Sequence, residues 1–128
     1  MTAAGRLPGA RGSILLVEDN PEVREAVATA LEVEGYSVVQ AAHAEEALRQ
    51  LRTSTLFCLI LLDLYMPTTN GWAFRAEQLR DAKLAPIPVI VVSADGAVAQ
   101  LAADLGAAGY VGKPIDFEQL LWLVAAHC

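Results

Sequence analysis

The chain has 128 residues, 55% of them hydrophobic, with a formal net charge of −6 at pH 7, enough apolar material for one domain with its own core. That acidic balance argues against direct nucleic-acid binding, and no apolar run approaches the roughly 18 residues of a membrane span. Two cysteines, Cys58 and Cys128, supply neither a CxxC motif nor a disulfide framework; Cys58 reads as a small core hydrophobe, and the cytoplasm as the natural compartment.

Residues 1–12, MTAAGRLPGARG, carry Arg6 and Arg11 but no apolar block, so they read as a flexible leader and not as a signal peptide. The domain is expected over 13–128. A buried strand is predicted at Ile14–Val17. After Asn20 the spacing of Val23, Ala26, Val27, Ala30 and Leu31 predicts a helix, stopped by Gly35. A second strand is expected at Tyr36–Gln40. A second helix follows on Ala44, Ala47, Leu48 and Leu51, with His43 at its start as a surface or capping residue. Glu45, Glu46 and Arg49 form its solvated face.

The run Cys58–Leu62 predicts the third strand. The third helix, Gly71 to about Asp81, contains Trp72, Phe74 and Leu79 and has poorly marked ends. A fourth strand is expected at Ile87–Val92, then a helix striped by Val98, Leu101, Ala102 and Leu105 before Gly106. The last strand is Gly109–Val111. The last helix opens on Asp116 as N-cap, with Gln119 three residues on and a stripe of Phe117, Leu120, Leu121 and Val124. Trp122 falls off that stripe and marks a candidate partner surface.

Five near-continuous apolar strands alternating with five helices predict an α/β fold, a doubly wound five-stranded parallel sheet covered on both faces. The order 2-1-3-4-5 is one common solution, placing strands one and three together at the switch point where ligands bind. Just past the strands' carboxyl ends stand Glu18 and Asp19, Asp63, Ser93, and Lys113 with Pro114. Crowded carboxylates repel one another unless a cation joins them. Oxygen ligands without His or Cys point to a hard ion, Mg²⁺ or Mn²⁺. Lys113 and Ser93 suit phosphoryl oxygens, and an aspartate beside a metal and a lysine can attack phosphorus to become an aspartyl phosphate.

The segments LLVEDNP, LLDLYMPTTNG, VIVVSADG and YVGKPID resemble, in order and spacing, the motif set of response-regulator receiver domains of two-component and phosphorelay signalling. The likeness runs from about Ser13 to the C-terminus and implies a flavodoxin-like receiver fold. By that resemblance Asp63 is the phosphoacceptor, and Glu18, Asp19, Asp63 and the backbone carbonyl of Tyr65 hold the metal, Glu18 through water. Ser93 and Lys113 bind the phosphoryl oxygens, Lys113–Pro114 is cis, and Gly71 is the small residue after the Met-Pro loop. Ser93 and Tyr110 occupy the switch positions, and the surface of helix four, strand five and helix five is the output face. The implied partners are a histidine kinase or histidine phosphotransfer protein and a protein output target. No nucleic acid or membrane is contacted directly, and the chain is expected as a monomer or weak homodimer. The chemistry implied is self-phosphorylation and self-dephosphorylation, not turnover of a substrate.

The chain departs from the pattern mildly. The acidic pair is Glu-Asp and not Asp-Asp. Tyr65 is large beside the phosphoacceptor, whereas Ala94 is small and Asp95 adds a negative charge; the expectation is a long-lived phosphoryl group. A haloacid-dehalogenase-like phosphatase would need a second acid two residues after Asp63, where Tyr65 stands. A flavodoxin would need a Gly/Thr/Ser-rich loop after the first strand. A pseudo-receiver that never takes phosphate fits poorly with an intact Asp63, acidic pair, Ser93 and Lys113. No output domain follows the last helix, which leaves a stand-alone receiver, a relay intermediate or a piece of a longer protein.

Overall fold

A computed structural model describes residues 12–53, 55–65 and 71–128; the leader through Arg11 and the Met66–Pro67 part of the loop motif lie outside the described residues. The strands are β1 (Ser13–Val17), β2 (Val38–Ala41), β3 (Phe57–Asp63), β4 (Val89–Ser93) and β5 (Gly109–Gly112). The helices are α1 (Pro21–Val33), α2 (Ala44–Leu51), α3 (Gly71–Arg80), α4 (Val98–Asp104) and α5 (Phe117–His127). All strand pairs are parallel, in the order β2-β1-β3-β4-β5.

The pleat explains the long apolar runs. Leu15, Val17, Ile60, Leu62, Val89 and Val91 point to one face, where they meet Ala44, Ala47 and Leu51 of α2, Phe74 of α3 and Ala102 of α4. Their neighbours Ile14, Leu16, Leu59, Leu61, Ile90 and Val111 point to the other, against Val27, Ala28 and Leu31 of α1 and Leu120 and Val124 of α5. A strand buried on both faces must be apolar at every position, which is why alternation is absent from β1, β3 and β4.

Helix ends follow local chemistry. The Asn20 side chain accepts from the backbone N–H groups of Glu22 (2.9 Å) and Val23 (3.1 Å) and starts α1. Gly35, at φ 93°, closes it: its N–H reaches Glu32 O at 2.9 Å, and that of Tyr36 reaches Leu31 O at 3.1 Å. Tyr36 therefore belongs to the helix cap, and β2 begins two residues later than the apolar run suggests. Gly106 (φ 66°) closes α4 in the same way. His43 caps α2, accepting from Glu46 N, while Glu46 reaches back to Ala42 N at 2.7 Å, so Glu46 is a capping partner as well as part of a solvated face. The fourth strand starts at Val89, not Ile87. Ile87 N–H is already bonded to Leu84 O, and Pro88 offers only its carbonyl, to Ile60 N at 2.9 Å.

Helix α3 packs on an unexpected face. Leu79 is exposed, whereas Arg75 and Gln78 are buried with Phe74. Arg75 donates to Gln78 Oε1 (2.8 Å) and to the carbonyls of Leu105 and Gly106 (both 3.1 Å) at the end of α4. Gln78 Nε2 donates to Leu84 O (3.0 Å) and Ile87 O (2.9 Å) in the loop before β4. Burial lowers the Arg75 pKa, and no carboxylate is among these partners. Phe117 and Ala26, placed on core stripes by spacing, are exposed: Phe117 is the first residue of α5, at the rim, and α1 turns Ala28 inward instead of Ala26. Cys58 is not a solitary hydrophobe. It forms a disulfide with Cys128, Cα–Cα 5.4 Å, because the fold lays the end of α5 over the start of β3.

Candidate functional site

The parallel sheet delivers the polar residues to one edge. Asp63 is the last residue of β3, Ser93 the last of β4, and Glu18 and Lys113 immediately follow β1 and β5. Asp63 is 4% exposed, Glu18 3% and Ser93 1%; Asp19 is half-buried. The backbone holds them there. Glu18 N–H bonds Ala41 O (3.1 Å), Asp63 pairs in register with Val92, and Lys113 N–H bonds Ser93 O (2.9 Å). Gly71 keeps α3 tight against this edge, since a Cβ there would stand 2.8 Å from Leu64 Cδ2 and 2.9 Å from Leu64 Cα.

Lys113 Nζ bridges the two buried acids, 2.9 Å from Glu18 Oε1 and 3.3 Å from Asp63 Oδ2. The other Asp63 oxygen accepts from Tyr65 N–H at 3.1 Å. Burial, then the hydrogen bond and charge of Glu18, push the Asp63 carboxyl up to about 7, against the pull of Lys113 and the Tyr65 amide. The Lys113 pKa is raised as well: burial lowers it, but the bond to Glu18 and the field of Asp63 outweigh that and raise it overall.

Oxygens of Glu18, Asp19 and Asp63 all lie within 4.8 Å of one another. With all three acids ionised, one ammonium leaves a net charge of −2 at this edge, and an all-oxygen donor set of this kind fits a hard divalent cation. The Tyr65 side chain points outward. Its hydroxyl donates to Asp95 Oδ2 at 2.8 Å, and its ring meets Trp72 edge-on at 5.5 Å. Asp95 in turn bonds Ala97 N (2.8 Å), ahead of α4, and its own N–H donates to Ser93 Oγ at 3.0 Å. Asp95 is held below its usual pKa by the Ala97 amide and then by Tyr65, while the Asp95 bond raises the Tyr65 phenol. The spacing Ser93-x-Asp95 is visible in the sequence; its bond to Tyr65, 30 residues away, is not.

Glu18, Asp19, Asp63 and Lys113 thus come together as the sequence predicts, with Ser93 at the same edge. Tyr110 does not join them: it is 42% exposed, one residue before Val111 on the outermost strand. The Lys113–Pro114 bond is cis. His43 and His127 take part in helix ends only, through Glu46 N and Leu123 O.

Known proteins are similar to this chain in sequence and in fold. The family model of the response regulator receiver domain matches residues 14–125. The DNA-binding dual master transcriptional regulator RpaA of Synechocystis sp. is 34% identical over 115 residues, covering 88% of this chain and 47% of that protein. The chain therefore spans about half the length of the curated relatives it matches. Among solved structures, the chemotaxis response regulator CheY4 of Vibrio cholerae superposes with a TM-score of 0.83 at 26% identity, covering 93% of this chain and all of that one. A response regulator receiver protein from Pseudomonas putida does so with a TM-score of 0.83 at 33% identity, covering 91% and 98%. With acids, hydroxyl and lysine on four strand ends and a family match that runs from β1 into α5, the chain belongs to the response-regulator receiver family.

Proposed function

We propose that the domain accepts a phosphoryl group on Asp63 from a histidine kinase or histidine phosphotransfer protein, and that this changes its α4–β5–α5 surface to control a protein partner. The observation that carries the reading is Lys113 Nζ seated between Glu18 and Asp63, beside a cluster of carboxylate oxygens. Asp63 attacks phosphorus through a carboxylate oxygen; the new P–O bond forms as the P–N bond to the donor imidazole breaks, and the electron pair returns to that nitrogen. Lys113 then turns its ammonium from the carboxylate to a phosphoryl oxygen, and the Ser93 hydroxyl donates to another. Glu18, Asp19, Asp63 and the Tyr65 carbonyl would hold Mg²⁺, with Mn²⁺ as a substitute; when bound it neutralises charge on the transferring group. The pull of Ser93 toward the phosphoryl group competes with its bond to Asp95 N–H, and Tyr110 turns inward behind it.

The setting proposed is cytoplasmic, with the domain acting as a monomer or weak homodimer; no helix among the described residues is long and apolar enough to cross a membrane. Incubation with Mg²⁺ and a panel of phosphohistidine kinases tests the proposal. Parent protein gains acid-stable, base-labile phosphate, and Asp63→Asn does not. Transfer to neither would make the domain a pseudo-receiver. Sustained release of phosphate from free monoesters would make it a phosphatase.

A further inference from the structure

Cys58 and Cys128 are the two cysteines of the chain, and the fold brings them together across a separation of 70 residues. Their Cα–Cα distance of 5.4 Å suits a disulfide. Cys58 is half-buried near the start of β3, and Cys128 is buried beyond the last turn of α5, where its N–H bonds Val124 O at 2.8 Å. Cys58 Sγ also lies 3.5 Å from the Ser13 carbonyl oxygen, so a thiol at this position has an acceptor in place. The reduced Cys58 thiol would thus keep a hydrogen-bond acceptor at the same position.

The geometry points to a thiol–disulfide exchange site that takes low-molecular-weight disulfides and thiols as its substrates and staples or releases the end of α5. In the forward direction a protein thiolate attacks one sulfur of a small disulfide, forming a mixed disulfide and expelling one small thiolate. The second protein thiolate displaces the other, the protein S–S bond forms, and the two protons end on the two released thiols. The small disulfide is reduced and the cysteine pair oxidised. An excess of small thiol runs the same steps backward. Access comes from the helix end: fraying of one terminal turn uncovers Cys128 without disturbing the sheet. The staple acts far from the acids, because Cys58 and Asp63 stand at opposite ends of β3, roughly 16 Å apart along the strand. This inference rests on the fold and not on the phosphoryl-transfer reading.

The test uses the full chain under native conditions, first with oxidised and then with excess reduced glutathione, followed by alkylation and intact mass, with amide hydrogen exchange on each form. Oxidation is expected to remove two hydrogens, leave no alkylatable thiol and keep the protein monomeric without a glutathione adduct. Cys58→Ser and Cys128→Ser should each take up one glutathione instead. Native reduction should return both thiols, leave the circular dichroism unchanged, and speed exchange at Ala125–Cys128 by about tenfold, as terminal fraying is released. Two glutathione adducts on the parent, a disulfide-linked dimer, thiols recovered only after denaturation, or unchanged exchange at the end of α5 would each overturn it. The parent alone decides the matter if a serine variant fails to fold.

Discussion

Replacing Asp63 by Asn should stabilise the metal-free domain while removing the proposed phosphoacceptor. Asp63 is nearly inaccessible and shares its edge with Glu18, and its carboxyl is raised from 3.8 to about 7 by burial first and Glu18 second. In the unfolded chain the same carboxyl ionises near pH 4. The native state therefore holds the proton more tightly, and the stability this contributes is complete below about pH 4 and lost as pH rises to about 7. At roughly 1.4 kcal/mol for each pH unit the ceiling is about 4 kcal/mol. Lys113 loses one partner in the variant, and water reaches the site edge, so about 1–2 kcal/mol should remain, or roughly 3–8 °C in melting temperature. Thermal unfolding in EDTA at pH 8 and at pH 5 checks this: Asp63→Asn melts higher at pH 8, and its advantage shrinks at pH 5. Added Mg²⁺ raises the parent more than the variant, by ligand linkage. A variant no more stable than the parent at pH 8, or an advantage that grows on acidification, refutes the reasoning.

Lys113→Met removes the cation between Glu18 and Asp63; urea unfolding should show a loss of about 1–3 kcal/mol, reduced from the fully buried case because the lysine is partly exposed, and phosphoryl uptake should slow. Tyr65→Asn removes the large ring two residues from the proposed phosphoacceptor together with its bond to Asp95, and so tests whether that side chain shields the phosphoryl group. Phosphoryl hydrolysis should rise roughly three- to tenfold, equivalent to about 1 kcal/mol of barrier; slower loss of label in the variant would contradict shielding. Arg75→Met strips donors from Leu105 O, Gly106 O and Gln78 Oε1, for an expected cost of about 2–3 kcal/mol in urea unfolding. Arg75→Lys should recover only a fraction, since an ammonium cannot span all three acceptors.

The parts of the molecule that could be read in advance are those whose physics is local. Strands β1, β3 and β4 are uninterrupted apolar runs because both faces are covered, and the parallel sheet carries whatever follows them to one edge; hence Glu18, Asp19, Asp63, Ser93 and Lys113 were recognisable together. Helix α3 was not, because its buried face is Phe74 with Arg75 and Gln78. Besides bonding each other, those polar side chains are satisfied inside by carbonyls of Leu84, Ile87, Leu105 and Gly106, which reach them in the folded chain alone. Leu79, the residue a hydrophobic stripe would choose, faces water. The Cys58–Cys128 pair and the Tyr65–Asp95 bond fail to show for a related reason: their partners are 70 and 30 residues apart, and no spacing rule spans such gaps.

The grip of Arg75 on the carbonyls of Leu105 and Gly106 gives α4 unequal ends. Its C-terminal end is moored to a buried guanidinium on α3, whereas its N-terminal end is held through Asp95, whose amide leans on Ser93 Oγ. A helix of seven residues is about 10 Å long, and moored at one end it behaves as a boom. A swing of 10° about Gly106 carries the far tip about 2 Å, and that tip is the one beside the phosphoacceptor edge. A pull on Ser93 would therefore reach α4 at the end where Val98 enters the core, and leave the end moored to Arg75 in place.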